Sequence, residues 1–514
     1  MEHGQARPGY DTGSARRKDL LVALVVRWTP PRPLRYAWIM QRETTADVAI
    51  VGADLAGLVA GAILTRHGRR VVILEHADTV GGRSGAVQTP EGYWIDFGHR
   101  DAHGVGDCQF PWHHGAEAAR EADVEIVSHP IRRVLRVHRL PDGPVLDGGD
   151  WSAGGFLAAA RDFFECPEDG LEELRDVLAR LAAAQPDEVG AALPVGLGTW
   201  VEANVHHPGV RRALLLMAAV IFHPRPAEAS AGRLMLFFQN PKGLPHIADD
   251  ALVGGMQGLM EPWARAIRER GGEIALGWKP VEIIIDDGRV RGAVAVDRAN
   301  LVREVRAPLV ISTYPVWENF ELIDARRFPP EFVSTAWELA RFRADLIGWH
   351  AGLRRLPTVR ATGKADDHPG WNRFLVGAEG ERRYAGGYHI PSLTSRRAAP
   401  AGKHLLSWVM ARFFDGGTTA GPPWTAARAH LDMAVGYLRR YYADLDDCLE
   451  WSAHQHVAAP QSMSWSWAPV KRHGLTVPGI EGLLLAGATI EAPAGIVDIS
   501  AYAGRAAARA VLGR

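Results

Sequence analysis

Residues 47–61 read DVAIVGADLAGLVAG, a glycine loop set between a short apolar run and a longer one. No other stretch constrains the fold as much. The loop approximates G-x-G-x-x-G, the fingerprint that lets a main chain approach a pyrophosphate. Gly52 and Gly57 occupy the outer positions, but Asp54 stands where the middle glycine belongs. A Cβ there narrows the approach and a carboxylate repels phosphate. The side chain is expected either to rotate outward or to cap the following helix by accepting an N–H bond.

Context gives the loop its meaning. The run before it, with Val48 and Ile50, is continuous and apolar, as in a parallel strand buried on both faces. After it, Leu55, Leu58, Val59, Ala62 and Ile63 supply the apolar face of a helix. Gly57 and Gly61 lie one turn apart and let that helix sit close to the sheet, and Gly68 ends it. VVILE then reads as a second buried strand ending in Glu75. Strand, loop, helix, strand and acid make a βαβ unit. Glu75 falls near the ~20-residue spacing at which an acid accepts from the adenosine ribose hydroxyls. A carboxylate there repels a 2′-phosphate, which favours FAD or NAD over NADP. The helix amino terminus near Leu55 is expected to face the pyrophosphate with free N–H groups.

The chain has 514 residues, so two or more domains are expected. Its net charge of −1 supplies no basic field for a nucleic-acid partner. Cys108, Cys166 and Cys448 are far apart and form no disulfide framework or cysteine zinc site, which fits a reducing cytoplasm. ALLLMAAVIF, from Ala213 to Phe222, falls short of the ~20 residues a membrane span needs. It reads as a buried core helix or as the lining of a tunnel for a greasy substrate. Residues 1–45 read as a poorly ordered extension, and Met40 just before the first strand is a candidate start.

Further blocks carry a resemblance. Glu75 is followed by Gly81-Gly82-Arg83, the turn PEGY, and the D-x-G of Asp96 and Gly98. Residues 254–297 give a Gly-rich entry, an amphipathic helix from about Leu259 to Arg270, and two strands meeting at DDGR. APLVISTYP follows as a returning strand. The C-terminus, GIEGLLLAGATIEAPAGIVDISAYAG, reads as strand, turn at Gly487, and helix from Ile496. Together these resemble the FAD-dependent amine oxidase and phytoene desaturase superfamily, with the phytoene dehydrogenase-like branch matched best. The resemblance implies that Gly82 and Arg83 support the FAD pyrophosphate and that Val281 contacts the adenine through its backbone. It implies that Gly487, Ala488 and Ile496 lie at the flavin end, with the last helix aimed at the isoalloxazine. Amine oxidases usually carry Asp where this chain has Ala488, a departure toward the desaturase-like branch.

The fold class expected is α/β. A three-layer Rossmann-like FAD-binding domain is assembled from residues 46–105, 250–320 and 478–514. An α+β substrate or cap domain comes from 106–249 and 321–477. Among 17 tryptophans, Trp317, Trp465 and Trp467 are placed either to wall a flavin pocket or in ordinary packing. His99 follows the D-x-G strand and is a candidate acid/base group or substrate orienter, or else a loop histidine. His103, His113 and His114 lie near it, but no established ligand motif appears and no metal is expected.

The function implied is hydride transfer from a C–C unit of a lipophilic, isoprenoid-like substrate to flavin N5, with saturation or isomerisation as other outcomes. The rivals are a flavin amine oxidase and a non-catalytic binding protein related to GDP-dissociation inhibitors. The expected location is cytoplasmic, with peripheral membrane contact and oligomeric state left open.

Overall fold

The structure is a computed structural model. It describes residues 39–97, 101–102, 114–131, 135–140, 143–147, 153–221, 226–238, 249–341, 343–376, 383–413, 424–462, 471–492 and 497–513.

Five short parallel strands form the centre of the first sheet. β1 spans Ile39–Thr45, β2 Val48–Val51 and β3 Val71–Leu74. β3 pairs with β2 on one side and with Glu273–Ala275 on the other. β2 pairs in turn with Val310–Ser312, which pairs with Ile480–Leu485. Every residue of β2 and β3 is buried, as a parallel strand covered on both faces must be. The sheet therefore draws its strands from three separated stretches of chain. A meander of Lys279–Asp286, Arg289–Val296 and Leu301–Arg306 extends it.

β1 corrects the expected start of order. Residues 39–45 were placed in the extension, but they pair parallel with Leu301–Arg306 at the sheet edge. Leu301–Arg306 offers an open edge, and β1 satisfies its peptide groups.

The helix Leu55–Arg66 is α1. It packs beside Gly255–Glu269 and the C-terminal helix Val497–Leu512. Close approach explains the glycines on α1. A Cβ on Gly61 would lie 3.0 Å from both Ile73 Cδ1 and Ile267 Cδ1. The helix Gly255–Glu269 begins four residues earlier than the expected Leu259. Gly254 turns into it with φ +90°, and the buried Asp96 carboxylate accepts from Met256 N at 2.9 Å.

A second sheet has seven strands in the order 449–462, 343–353, 404–413, 383–389, 371–376, 135–139 and 145–147. On one face lies the helix Trp424–Tyr441, over Phe374, Tyr388 and Trp408. The opposite face, with Val137, Trp371 and Val409, meets a helical layer that includes Pro208–Ile221 and Ala231–Phe238. Ala213, Leu214 and Met217 of the apolar stretch are buried in this core, together with Val210, as a core helix requires. Among the described residues no helix is long and apolar enough to cross a membrane.

Candidate functional site

The glycine loop leaves the C-terminal end of β2, where ligands of open α/β sheets bind. Gly52 has φ +101°, and a Cβ there would lie 2.2 Å from Thr313 Oγ1. A Cβ on Gly57 would lie 2.1 Å from the Gly52 carbonyl oxygen. Both outer glycines are thus sterically required. Asp54 resolves its two expected options in favour of the cap: its Oδ1 accepts from Gly57 N at 3.1 Å. With that donor taken, the N–H groups of Leu55 and Ala56 have no acceptor among the described residues. They remain available to an anion.

The cap has an electrostatic cost. Burial pushes the Asp54 carboxyl up to about 6, against the lowering by the Gly57 N–H and the Thr313 hydroxyl. Glu75, 7% exposed, is likewise raised by burial. Its two oxygens accept from Ala53 N and Ala77 N, each at 2.7 Å, and this fixes the acid beside the loop. Each oxygen keeps a lone pair for a ribose hydroxyl.

Gly81 and Gly82 have φ +100° and +52°, which sets the tight turn that carries Arg83. The guanidinium is partly exposed, and one of its donors is engaged. Its Nη1 donates to Glu318 Oε1 at 2.7 Å. Glu318 belongs to a 3₁₀ turn, Val316–Glu321, that follows the strand Val310–Ser312. Val281 falls where the register with Arg289–Val296 shifts, between Pro280 and Glu282. Such a bulge releases a residue from the ladder and leaves its peptide groups for another partner. Gly487 has φ +109°, and its Cβ would lie 2.9 Å from the Thr313 carbonyl oxygen. Ala488 beside it is half-buried.

Trp317 requires a correction. It is 4% exposed and packed in the main core with Val316 and Leu322, so it walls no open pocket. His99, Trp465, Trp467 and Ile496 lie outside the described residues. Thr313 and Glu318 were missed by sequence reasoning. No local motif marks them, and they reach the loop and Arg83 only through the returning strand. Asp498 was missed too; its buried carboxylate accepts from Gly115 N at 2.7 Å and so joins the last helix to His114–Ala122.

The comparisons with known proteins agree with this geometry. Residues 50–110 match a family described as an NAD(P)-binding Rossmann-like domain. Over 414 residues the chain is 23% identical to phytoene desaturase (neurosporene-forming) of Rhodobacter capsulatus, covering 73% of this chain and 74% of that one. Over 276 residues it is 29% identical to hydroxyneurosporene desaturase of the same organism, covering 49% and 53%. Together these similarities support the FAD-dependent amine oxidase and phytoene desaturase superfamily. Solved structures share the fold of this chain. An oxidoreductase from Methanosarcina mazei matches with a TM-score of 0.64 at 16% identity, covering 91% of this chain and 100% of that one. Cyclohexylamine oxidase from Brevibacterium oxydans matches with a TM-score of 0.55 at 17% identity, covering 91% and 100%. The desaturase and amine oxidase similarities support an FAD-dependent oxidoreductase. The cradle suits that cofactor: two glycines leave no room for a Cβ, two helix N–H groups are free, and an acid is fixed at the ribose spacing.

Proposed function

We propose that the protein desaturates a carbon–carbon unit of a lipophilic substrate, as the names of its desaturase relatives describe for them. The observation that carries this reading is the reach of the phytoene desaturase similarity. At 73% of the chain it includes much of the substrate part as well as the cofactor sheet. Ala488, where amine oxidases usually have Asp, supports the same branch.

Bound FAD supplies a two-electron acceptor for a substrate C–H hydride. The chain's own residues hold that cofactor. Leu55 and Ala56 N–H groups and the dipole of α1 take the diphosphate, with Gly52 and Gly57 admitting it. Glu75 accepts from the ribose, Val281 meets the adenine through its peptide, and Gly82 shapes the turn that brings in Arg83. Arg83 reaches the phosphates after giving up Glu318. Gly487, Ala488 and Ile496 are proposed as flavin-end contacts, and Trp465 and Trp467 for the pocket wall. His99 is the proposed group for the second hydrogen, which leaves as a proton while the double bond forms. Delivery of such a substrate involves peripheral contact with a membrane surface.

The test is the visible spectrum of the purified protein, followed by anaerobic mixing with polyene and other lipophilic compounds. Bleaching of the flavin band at about 450 nm by an unsaturated lipid supports the proposal. Hydrogen peroxide release with a panel of amines, and no bleaching by lipids, replaces it with an amine oxidase. A colourless protein that takes up no added FAD defeats both.

A further inference from the structure

The C-terminal helix Val497–Leu512 carries one acid in its first turn, Asp498, and that residue is buried. Its carboxylate reaches across to a second helix. Oδ1 accepts from Gly115 N at 2.7 Å and Oδ2 from His114 N at 3.2 Å, the first two N–H groups of His114–Ala122. One carboxylate thus lies where two helix amino termini meet. Both dipoles and both donors stabilise a negative charge there.

Holding these two helices together does not call for a buried acid. Arg505 ion-pairs with Glu117 and, at 2.6 Å, with Glu121, and Arg509 meets Glu121 at 2.8 Å. His114 and Tyr502 add a ring contact at 4.9 Å. What Asp498 changes is the field at the start of the last helix. A helix amino terminus is equivalent to about half a positive charge, so two of them offset roughly one carboxylate. With Asp498 in place the amino end of Val497–Leu512 is close to electrically neutral. Without it that end is positive.

We propose that Asp498 cancels the positive end of this helix and so holds down the reduction potential of the flavin. This rests on the proposed flavin-end contacts at Gly487, Ala488 and Ile496, and adds to them the residue that sets the field there. Asp498 acts through the helix end and not by touching the reacting atoms. A hydride brings two electrons and one proton to the ring, which ends with one more negative charge. A cancelled helix end stabilises that charge less than a bare one. The oxidised ring is favoured, and the reduced ring passes its electrons on more readily.

The experiment uses FAD-loaded protein and reads the midpoint potential by anaerobic titration against a reference dye. Asp498→Asn and Asp498→Ser both remove the charge and keep an oxygen that accepts. Each is expected to favour the reduced flavin by about tenfold, a rise of about 30 mV for a two-electron couple. Asp498→Glu keeps the charge and is expected to stay near the parent. Glu117→Gln loosens the same helix pair from its solvent side, where charge is screened, and is expected to leave the potential unchanged. Neutral variants at the parent's potential overturn the proposal, as does a fall. An equal shift in Glu117→Gln shows loosened helices instead of a lost charge, and overturns it too. So does failure of both neutral variants to fold or to hold flavin, because the acid then serves only as a fastening. Absence of flavin from the parent protein is a separate result that fails the enzyme reading instead.

Discussion

Asp54 acts in two opposed ways on the loop it occupies. Its oxygen caps α1 through Gly57 N, while its charge would oppose the diphosphate proposed for this loop. The carboxyl is raised from 3.8 to about 6, so the folded protein favours the protonated form. The ionised form is penalised above that pH, and the penalty is relieved as pH falls through 6 toward 4. FAD is therefore expected to bind more weakly as pH rises from 5 to 8. Asp54→Asn keeps a capping oxygen and removes the charge. It should tighten FAD by about tenfold at pH 8 and converge on the parent near pH 5. Quenching of FAD fluorescence by apo-protein across that range checks both; a parallel pH profile in the variant would refute the charge argument. Glu318 has a related effect from a different element. Glu318→Gln should free Arg83 and tighten FAD by on the order of tenfold, with no gain in an Arg83→Gln background, where there is nothing to free. Gly52, Gly57 and Glu75 were legible because one short segment sets their spacing. Thr313 and Glu318 were not, because the fold alone brings them to the loop and to Arg83.

At the scale of elements, the cofactor part depends on helices that approach closely. α1 and Val497–Leu512 meet at Gly504, where a Cβ would stand 2.3 Å from the Ala56 carbonyl oxygen. Main chain cannot retreat as a side chain can. Gly504→Val is expected to force the two helices apart and cost about 3 kcal/mol. Thermal melting with and without FAD reads this, and a melting point within a degree of the parent would show that the helices have slack. The strands of this part were visible as apolar runs between glycines, since a strand buried on both faces has little room for polar residues. The edge strand β1 was not visible: it lies among polar residues, Ile39 to Thr45, and forms because Leu301–Arg306 offers an unpaired edge.

For the whole molecule, the seven-stranded sheet is joined to the helix Trp424–Tyr441 by a buried polar network that no motif announced. Asp366, 2% exposed, accepts from Arg136 Nη1 at 2.9 Å and from the Tyr442 hydroxyl at 2.5 Å. Tyr442 meets the Tyr388 hydroxyl at 2.8 Å. His138 lies between the Tyr437 hydroxyl and Asn372 Oδ1, and burial pushes it down to about 3, so it stays neutral. Asp366→Asn leaves the Arg136 charge without its buried counterpart and should cost about 3 kcal/mol. The denaturant midpoint should fall at constant slope while flavin content in native buffer stays that of the parent. Loss of flavin at full foldedness would tie the network to the cofactor instead. Sequence by itself determined the βαβ unit and the places of its glycines and acid, because each is written in local spacing and apolar period. Tertiary structure decided the capping role of Asp54, the pairing of Arg83 with Glu318, and the core position of Trp317. Those depend on which distant segments share a sheet edge or loop, and burial and charge there are set by neighbours that local sequence does not specify.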